Sequence, residues 1–211
     1  MTETFYHLFD TPEKIFYAAV ELSVMLSVFA VLVAILIDFA EFQQRGEVKK
    51  EKKSVVETGS MLLFFFGFYA ILRTGTGRIA MEFSLLKIAL MLAGALLVIA
   101  GCAVNVRGRL DLGKNWGNQI KIYGDHTFVT GGMYRLVRHP LYASLVWMFL
   151  GASLIYQNYL ALLAALFVFI PFMRYRARQE EELLTKEFEG YAEYRKKVGM
   201  FFPKLWNKNL T

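Results

Sequence analysis

Apolar residues in this chain run in long blocks. Ile15–Ile37 holds a single charge, Glu21; Val55–Leu72 holds Glu57 near its start; Leu85–Val106 holds Lys87 near its start. Leu141–Phe172 has no charge at all. A helix crossing a bilayer needs about 20 predominantly apolar residues, so the first three blocks each predict one span. The fourth is too long for one span. It carries Gln157-Asn158 near its middle, which predicts a tight hairpin of two shorter helices. The expectation is an all-α integral membrane protein of one domain, 1–211. Its five transmembrane helices lie at about 15–37, 55–72, 85–106, 141–156 and 159–173.

Composition agrees with the blocks. Over 211 residues, 56 % are hydrophobic and mean hydropathy is +0.38, which excludes disorder and an ordinary soluble domain. The single cysteine, Cys102, excludes an internal disulfide or a zinc cluster and reads as a small apolar residue of the third helix. The first block is too long for a signal-peptide core and ends at Asp38 without a small-residue cleavage site. Formal net charge is +6. Of the 24 Lys and Arg residues, 20 fall in 40–54, 107–140 and 174–211. The positive-inside rule then predicts an outside N-terminus and a cytoplasmic C-terminus. Basic flanks beside lipid head groups account for the charge without nucleic acid.

Several motifs invite a chemical reading. Gly75-Thr76-Gly77-Arg78-Ile79-Ala80 has the dinucleotide spacing but lacks the strand that such a site needs, so it reads as a turn. Glu21, with Ser23 and Ser27 nearby, is an intramembrane carboxylate and a functional candidate, or a polar contact to a neighbouring helix. The 107–140 segment is rich in glycine and polar residues and ends in Arg138-His139-Pro140-Leu141-Tyr142. Pro140 suits the first turn of a helix. Arg138 and His139 then sit at a helix N-terminus, a ready anion site or a basic membrane anchor. After the last span, Arg174, Arg176 and Arg178 precede Glu180, Glu181 and Glu182 on what reads as a continuing helix. Arg176 and Glu180 are one turn apart, with Leu184 and Phe188 on the same stripe. A cytoplasmic pocket is expected where the 107–140 segment meets this C-terminal helix.

Taken together, these residues resemble a family. Arg138-His139-Pro140-Leu141-Tyr142 is similar to the R-H-P-x-Y signature of the isoprenylcysteine carboxyl methyltransferases and the related phospholipid methyltransferases. Glu180-Glu181 with Leu184, Phe188, Tyr191, Tyr194, Val198 and Pro203 resembles their C-terminal pattern. His126-Thr127-Phe128-Val129 with Gly132 and Tyr134 resembles the stretch between. The resemblance covers about 105–205 and is to the compact five-helix prokaryotic and archaeal type. Two departures stand out: Phe188-Glu189 replaces the family's Phe-Gly, and the tail is one residue shorter before Tyr191.

The resemblance implies a methyltransferase that takes its methyl from S-adenosyl-L-methionine without a Rossmann domain. It implies a cofactor site of Gln119, His126, Thr127, Phe128, Val129, Tyr134, His139, Pro140, Leu141, Tyr142 and Glu180, with Arg176 as the catalytic, substrate-facing residue. Glu181 in place of Glu180, or Arg178 with Glu182, are the alternatives that the shortened tail opens. The implied acceptor is the C-terminal carboxylate of a prenylcysteine-like substrate entering from the bilayer, amid membrane lipids and with no metal. A phospholipid amine or small thiol is the alternative acceptor, and a non-catalytic basic anchor the alternative class.

Overall fold

The computed structural model describes residues 10–42, 48–52, 55–113, 120–123 and 128–204. Helix α1 is Pro12–Phe42, α2 Val55–Thr74, α3 Leu85–Leu112, α4 Pro140–Ile155, α5 Tyr159–Glu187 and α6 Tyr191–Lys197, with a 3-10 turn at Gly132–Arg135. Three of these, Pro12–Asp38 within α1, α3 and α5, are long and apolar enough to cross a bilayer. Gly59–Thr74 and α4 are shorter apolar helices. The chain is an integral membrane protein by this measure.

Local chemistry fixes the ends. Thr11 caps α1 through Lys14 N, at 3.3 Å, with Pro12 in the first turn, so the helix begins before Ile15. Ser84 caps α3 through Lys87 N. Gly113 ends α3 at φ 51°, returning its N–H to Arg109 O. Two helices outlast their apolar blocks: α1 runs past Ile37 to Phe42 and α3 past Val106 to Leu112. The charges that follow those blocks are paired, Arg109 Nη1 with Asp38 Oδ2 across the helices and Arg107 with Asp111 one turn along α3, so they terminate hydropathy without terminating helix.

The all-α class holds, with one short addition. Strands β1, Val48–Lys52, and β2, Ile120–Tyr123, form a two-stranded antiparallel ribbon, with Lys50 opposite Ile122 and Lys52 opposite Ile120. The run Val-Lys-Lys-Glu-Lys has no alternating apolar face to announce a strand. Its pairing comes from a partner far along the chain.

Helices α3 and α4 make the tightest contact, through small residues. A Cβ on Gly94 would lie 2.5 Å from Gly151 O, and one on Gly101 would lie 2.8 Å from Ser144 O. Gly94 and Gly101 are seven apart, so they share a face and let the two backbones meet where apolar burial alone discriminates little. Helix α5 contains a π turn, Ala165–Phe169, just before Pro171. Pro171 has no N–H to give a carbonyl one turn back, and the widened turn accommodates that loss. Around the π turn, Phe169 stacks on Phe64 at 4.7 Å and meets Phe149 at 4.6 Å.

The hairpin is where the sequence placed it. Gln157 takes φ 44°, and Asn158 caps α5 by accepting from Ala161 N at 2.8 Å. The Gly75–Arg78 turn is bound to that tip: Ile79 N donates to Gln157 O, Tyr159 N to Gly77 O, and Asn158 Nδ2 to Thr76 O. The dinucleotide-like motif is a turn, as expected. Glu21 is exposed, and the tyrosine it acts on is Tyr156, at this same hairpin end. Ser23 and Ser27 bond to carbonyls of their own helix.

Candidate functional site

The polar chemistry gathers at the opposite end, where α3 hands over to α4 and α5 emerges from its apolar stretch at Arg174. The hand-over is held by Asp111, whose carboxylate accepts from Met133 N at 2.7 Å. Gly132 sits at φ 57° directly against that carboxylate, and a Cβ there would collide with it. The chain then turns through Tyr134, whose carbonyl accepts from the Tyr194 hydroxyl, and enters α4 at Pro140.

The tail returns alongside. Val137 and Gly199 form a parallel bridge; Arg138 N donates to Gly199 O at 2.8 Å and His139 N to Met200 O at 3.2 Å. These bonds correct the expectation of an open anion site before α4. Both backbone donors are taken by tail carbonyls, and the Arg138 side chain is taken as well. Its Nε donates to Glu181 Oε1 at 2.7 Å, and its Nη1 donates to Arg195 O and Val198 O.

His139 lies at the centre, 5 % exposed and stacked on Tyr142 at 5.6 Å. Its Nε2 is 3.1 Å from Glu181 Oε1 and its Nδ1 3.5 Å from Glu180 Oε2. Burial disfavours the imidazolium, but hydrogen bonds to Glu180 and Glu181 outweigh it and hold the His139 pKa above its ordinary 6.5. Burial likewise opposes ionisation of both carboxyls. His139 with Tyr142 for Glu180, and His139 with Arg138 for Glu181, prevail and hold both pKa values below 4.5. All three shifts favour the ionised forms, two carboxylates around an imidazolium.

The two glutamates are not equivalent. The Glu181 side chain is 4 % exposed; Oε1 faces Arg138 and His139, and Oε2 is 3.9 Å from Arg195. The Glu180 side chain is 33 % exposed and lies on the Tyr142 side with Arg176. Arg176 is 7 % exposed, with its guanidinium 6.0 Å from the Tyr142 ring centre. Of the pairings the sequence left open, Arg176 with Glu180 is the one assembled around Tyr142. Arg178 and Glu182 line a separate cleft on another face of α5.

Other expected site residues fall around this core. Phe128 packs against Phe188 at 5.9 Å, Tyr191 at 5.3 Å and Tyr194 at 5.2 Å, which joins the first polar segment to the tail. Burial, then the charge of Glu180, pushes the Tyr134 hydroxyl well above its ordinary pKa. Pro140 is fully buried against Gly108 of α3, and Leu141 is half-buried beside it. Val129 is half-buried, with no polar role. Gln119, His126 and Thr127 lie outside the described residues.

Sequence reasoning passed over a polar chain beneath the site. Asp38 pairs with Arg109; Arg109 Nε donates to Asn105 Oδ1 at 2.8 Å; Asn105 Nδ2 donates to Ser144 Oγ at 2.7 Å; and Ser144 Oγ donates to Leu141 O at 2.7 Å. It ties α1 and α3 to the first turn of α4. An asparagine inside an apolar block, one turn before an arginine, was its only sequence signal. Gln179 was also missed: its Oε1 is buried and accepts no hydrogen bond among the described residues.

The donor set suits a ligand with an ammonium group, a cationic sulfonium and an aromatic base. Glu180 can accept from the ammonium, and the rings of Phe128, Tyr134 and Tyr142 are suited to a cation or a flat base.

Comparison with known proteins agrees with this segment. Residues 91–186 match the isoprenylcysteine carboxyl methyltransferase (ICMT) family. A protein-S-isoprenylcysteine O-methyltransferase of Schizosaccharomyces pombe is 36 % identical over 80 residues, 37 % of this chain and 34 % of that protein. One of Xenopus laevis is 31 % identical over 117 residues, 54 % of this chain and 41 % of that protein. The cobalt-zinc-cadmium resistance protein CzcN of Cupriavidus metallidurans is 35 % identical over 106 residues, 49 % of this chain and 42 % of that protein. The matches thus span about a third to two fifths of these relatives' own length. The segment that supplies His139, Tyr142, Arg176 and Glu180 is the one that matches the isoprenylcysteine carboxyl methyltransferase family and these relatives.

Proposed function

We propose that this chain, acting as one domain, is a membrane methyltransferase that uses S-adenosyl-L-methionine to esterify the C-terminal carboxylate of a prenylcysteine-like substrate. The observation that carries the reading is the Arg176–Tyr142–Glu180 arrangement on one face of α5, within the family-matched segment.

When bound, the cofactor would supply an activated methyl group on a sulfonium, whose transfer to a carboxylate oxygen leaves the sulfur as a neutral thioether. The residues here bind, orient and exclude water. Glu180, ionised and partly open, receives an ammonium. His139 holds Glu180 and Glu181 apart in fixed orientations. Phe128, Val129, Tyr134 and Leu141 form apolar walls, with Gln119, His126 and Thr127 expected to complete them. Arg176 presents a planar fork to the acceptor carboxylate. A carboxylate with pKa near ~3.5 is already ionised, so no base is required. The buried tyrosines, pushed to higher pKa, are not bases at neutral pH. Alignment and exclusion of water are then the main contributions of the protein.

The division of basic residues supports an outside N-terminus, five crossings and a cytoplasmic site, with the lipid-tailed acceptor entering sideways between helices. A lipid amine or small thiol is the second reading. The CzcN relative, named for cobalt-zinc-cadmium resistance, shares the stretch, so the stretch by itself names no acceptor. Transfer from labelled cofactor to a farnesylcysteine analogue, phosphatidylethanolamine and a thiol separates the two. Methyl ester on the prenylcysteine alone supports the first; label on amine or thiol alone supports the second. Rising rate with pH through the amine's own pKa would mark amine transfer.

A further inference from the structure

Helix α5 carries two different polar faces where it leaves the apolar stretch. At 100° per residue, Arg176 and Glu180 point one way, and Arg174, Arg178, Glu181 and Glu182 point the other. The second face opens onto a cleft of about 440 Å³, which Arg138 and Arg195 also line. The cleft is outside the methyl-transfer site, because Tyr142, Arg176 and Glu180 are not among its walls.

Its charge is unbalanced. The Glu181 carboxylate is already engaged by Arg138, His139 and Arg195. Arg174 and Arg178 are exposed, one turn apart, and make no ion pair among the described residues. Glu182 stands one turn from Arg178 without pairing to it, which leaves the i,i+4 partnership unused. Two forked guanidiniums are therefore directed at open space, with two more in the same wall.

Depth identifies the ligand. Arg174 is the first charge after the uncharged run that ends at Met173. Tyr175, 56 % exposed, and Phe202, 53 % exposed, flank this level, and Phe202 stacks on Trp147 at 6.0 Å. Exposed aromatic rings beside arginines mark the head-group layer of a bilayer. Arginine forks match phosphate oxygens two at a time. We propose that this cleft binds the phosphate of an anionic glycerophospholipid head group, with Arg174 and Arg178 as the principal contacts.

The test uses the full chain purified in detergent and placed in nanodiscs of phosphatidylcholine with a minor fraction of phosphatidylglycerol. Lipid retained after delipidation is measured by native mass spectrometry. The expected result is preferential retention of phosphatidylglycerol. Retention falls roughly tenfold or more in Arg174→Gln/Arg178→Gln, is unchanged in Lys186→Gln/Lys204→Gln, and is only partly restored in Arg174→Lys/Arg178→Lys. Inorganic phosphate at millimolar concentration should not displace the lipid. Equal retention of the two lipids, or full retention in the double glutamine variant, overturns the proposal. So does an equal loss in the charge-matched control, or displacement by inorganic phosphate alone, which would make the cleft a site for a soluble anion. The readout is independent of methyl transfer.

Discussion

His139 is the residue on which the site converges, and its two ring nitrogens separate the adjoining glutamates into different roles. Glu181 sits in a nearly water-free pair with Arg138, so Glu181→Gln strands a buried guanidinium and should lower stability by about 3–5 kcal/mol. Glu180 is partly open. Glu180→Gln should lower the thermal midpoint less than Glu181→Gln does, and should weaken cofactor binding by about 1.5–3 kcal/mol, the value of one charge-assisted contact. Calorimetry on the two variants, for unfolding and for S-adenosylmethionine binding, checks the split; equal binding losses with no difference in stability would refute it. Arg176 calls for a different measurement. Arg176→Lys keeps the charge and loses the fork, so turnover on a carboxylate acceptor should fall well beyond any change in cofactor affinity. Initial rates at saturating cofactor read this directly.

Among the elements, the α3–α4 contact is set by backbone proximity. Gly101→Leu would drive a side chain into Ser144 O and Met148. The site begins at the N-terminal end of α4, so separating these helices should cost both stability and activity. Overpacking of this kind costs about 1–3 kcal/mol. Gly59→Leu, at a position with nothing within 4 Å of the added Cβ, is the matched control and should be nearly neutral. Denaturation in detergent compares the two. The glycines were plain in the sequence, but nothing in one helix's composition says which neighbour it approaches. The hairpin break at Gln157-Asn158 was legible, because two polar residues within an uncharged run of that length have few other uses. The ribbon of β1 and β2 was not, because its signal is long-range pairing.

For the whole molecule, the His139 cluster predicts a pH profile. The His139 pKa is raised on folding, so its contribution is complete below about 6.5 and is lost as pH rises through the raised value. Glu180 and Glu181 have lowered pKa values, so theirs is present above the ordinary carboxyl range and lost as pH falls through the lowered values. Stability in detergent should therefore peak between those limits and decline on the alkaline side. His139→Gln should flatten the alkaline decline. An unchanged alkaline limb in that variant would show that another group controls it. Topology is tested by cysteine labelling in a Cys102→Ser background: Glu82→Cys should react from outside and Lys204→Cys only after permeabilisation. The reverse pattern would invert the orientation.

Hydropathy determined the helices, since an apolar block of spanning length has no stable state in water and few in lipid. It also fixed which end carries the charge. The spacing of Arg176 and Glu180 put them on one helix face, and the motif residues marked where the two polar pieces would meet. Tertiary structure alone decided what each polar group does there. Arg138 and His139 look like open donors in the sequence, yet the returning tail from Val198 to Met200 takes their hydrogen bonds. Glu180 and Glu181 are adjacent and chemically identical, yet only one keeps a carboxylate open. The polar chain from Asp38 to Ser144 is scattered over three helices. Each of these depends on which groups reach one another in a water-poor setting, where a polar atom must find a partner. That is a property of packing, and the linear pattern does not carry it.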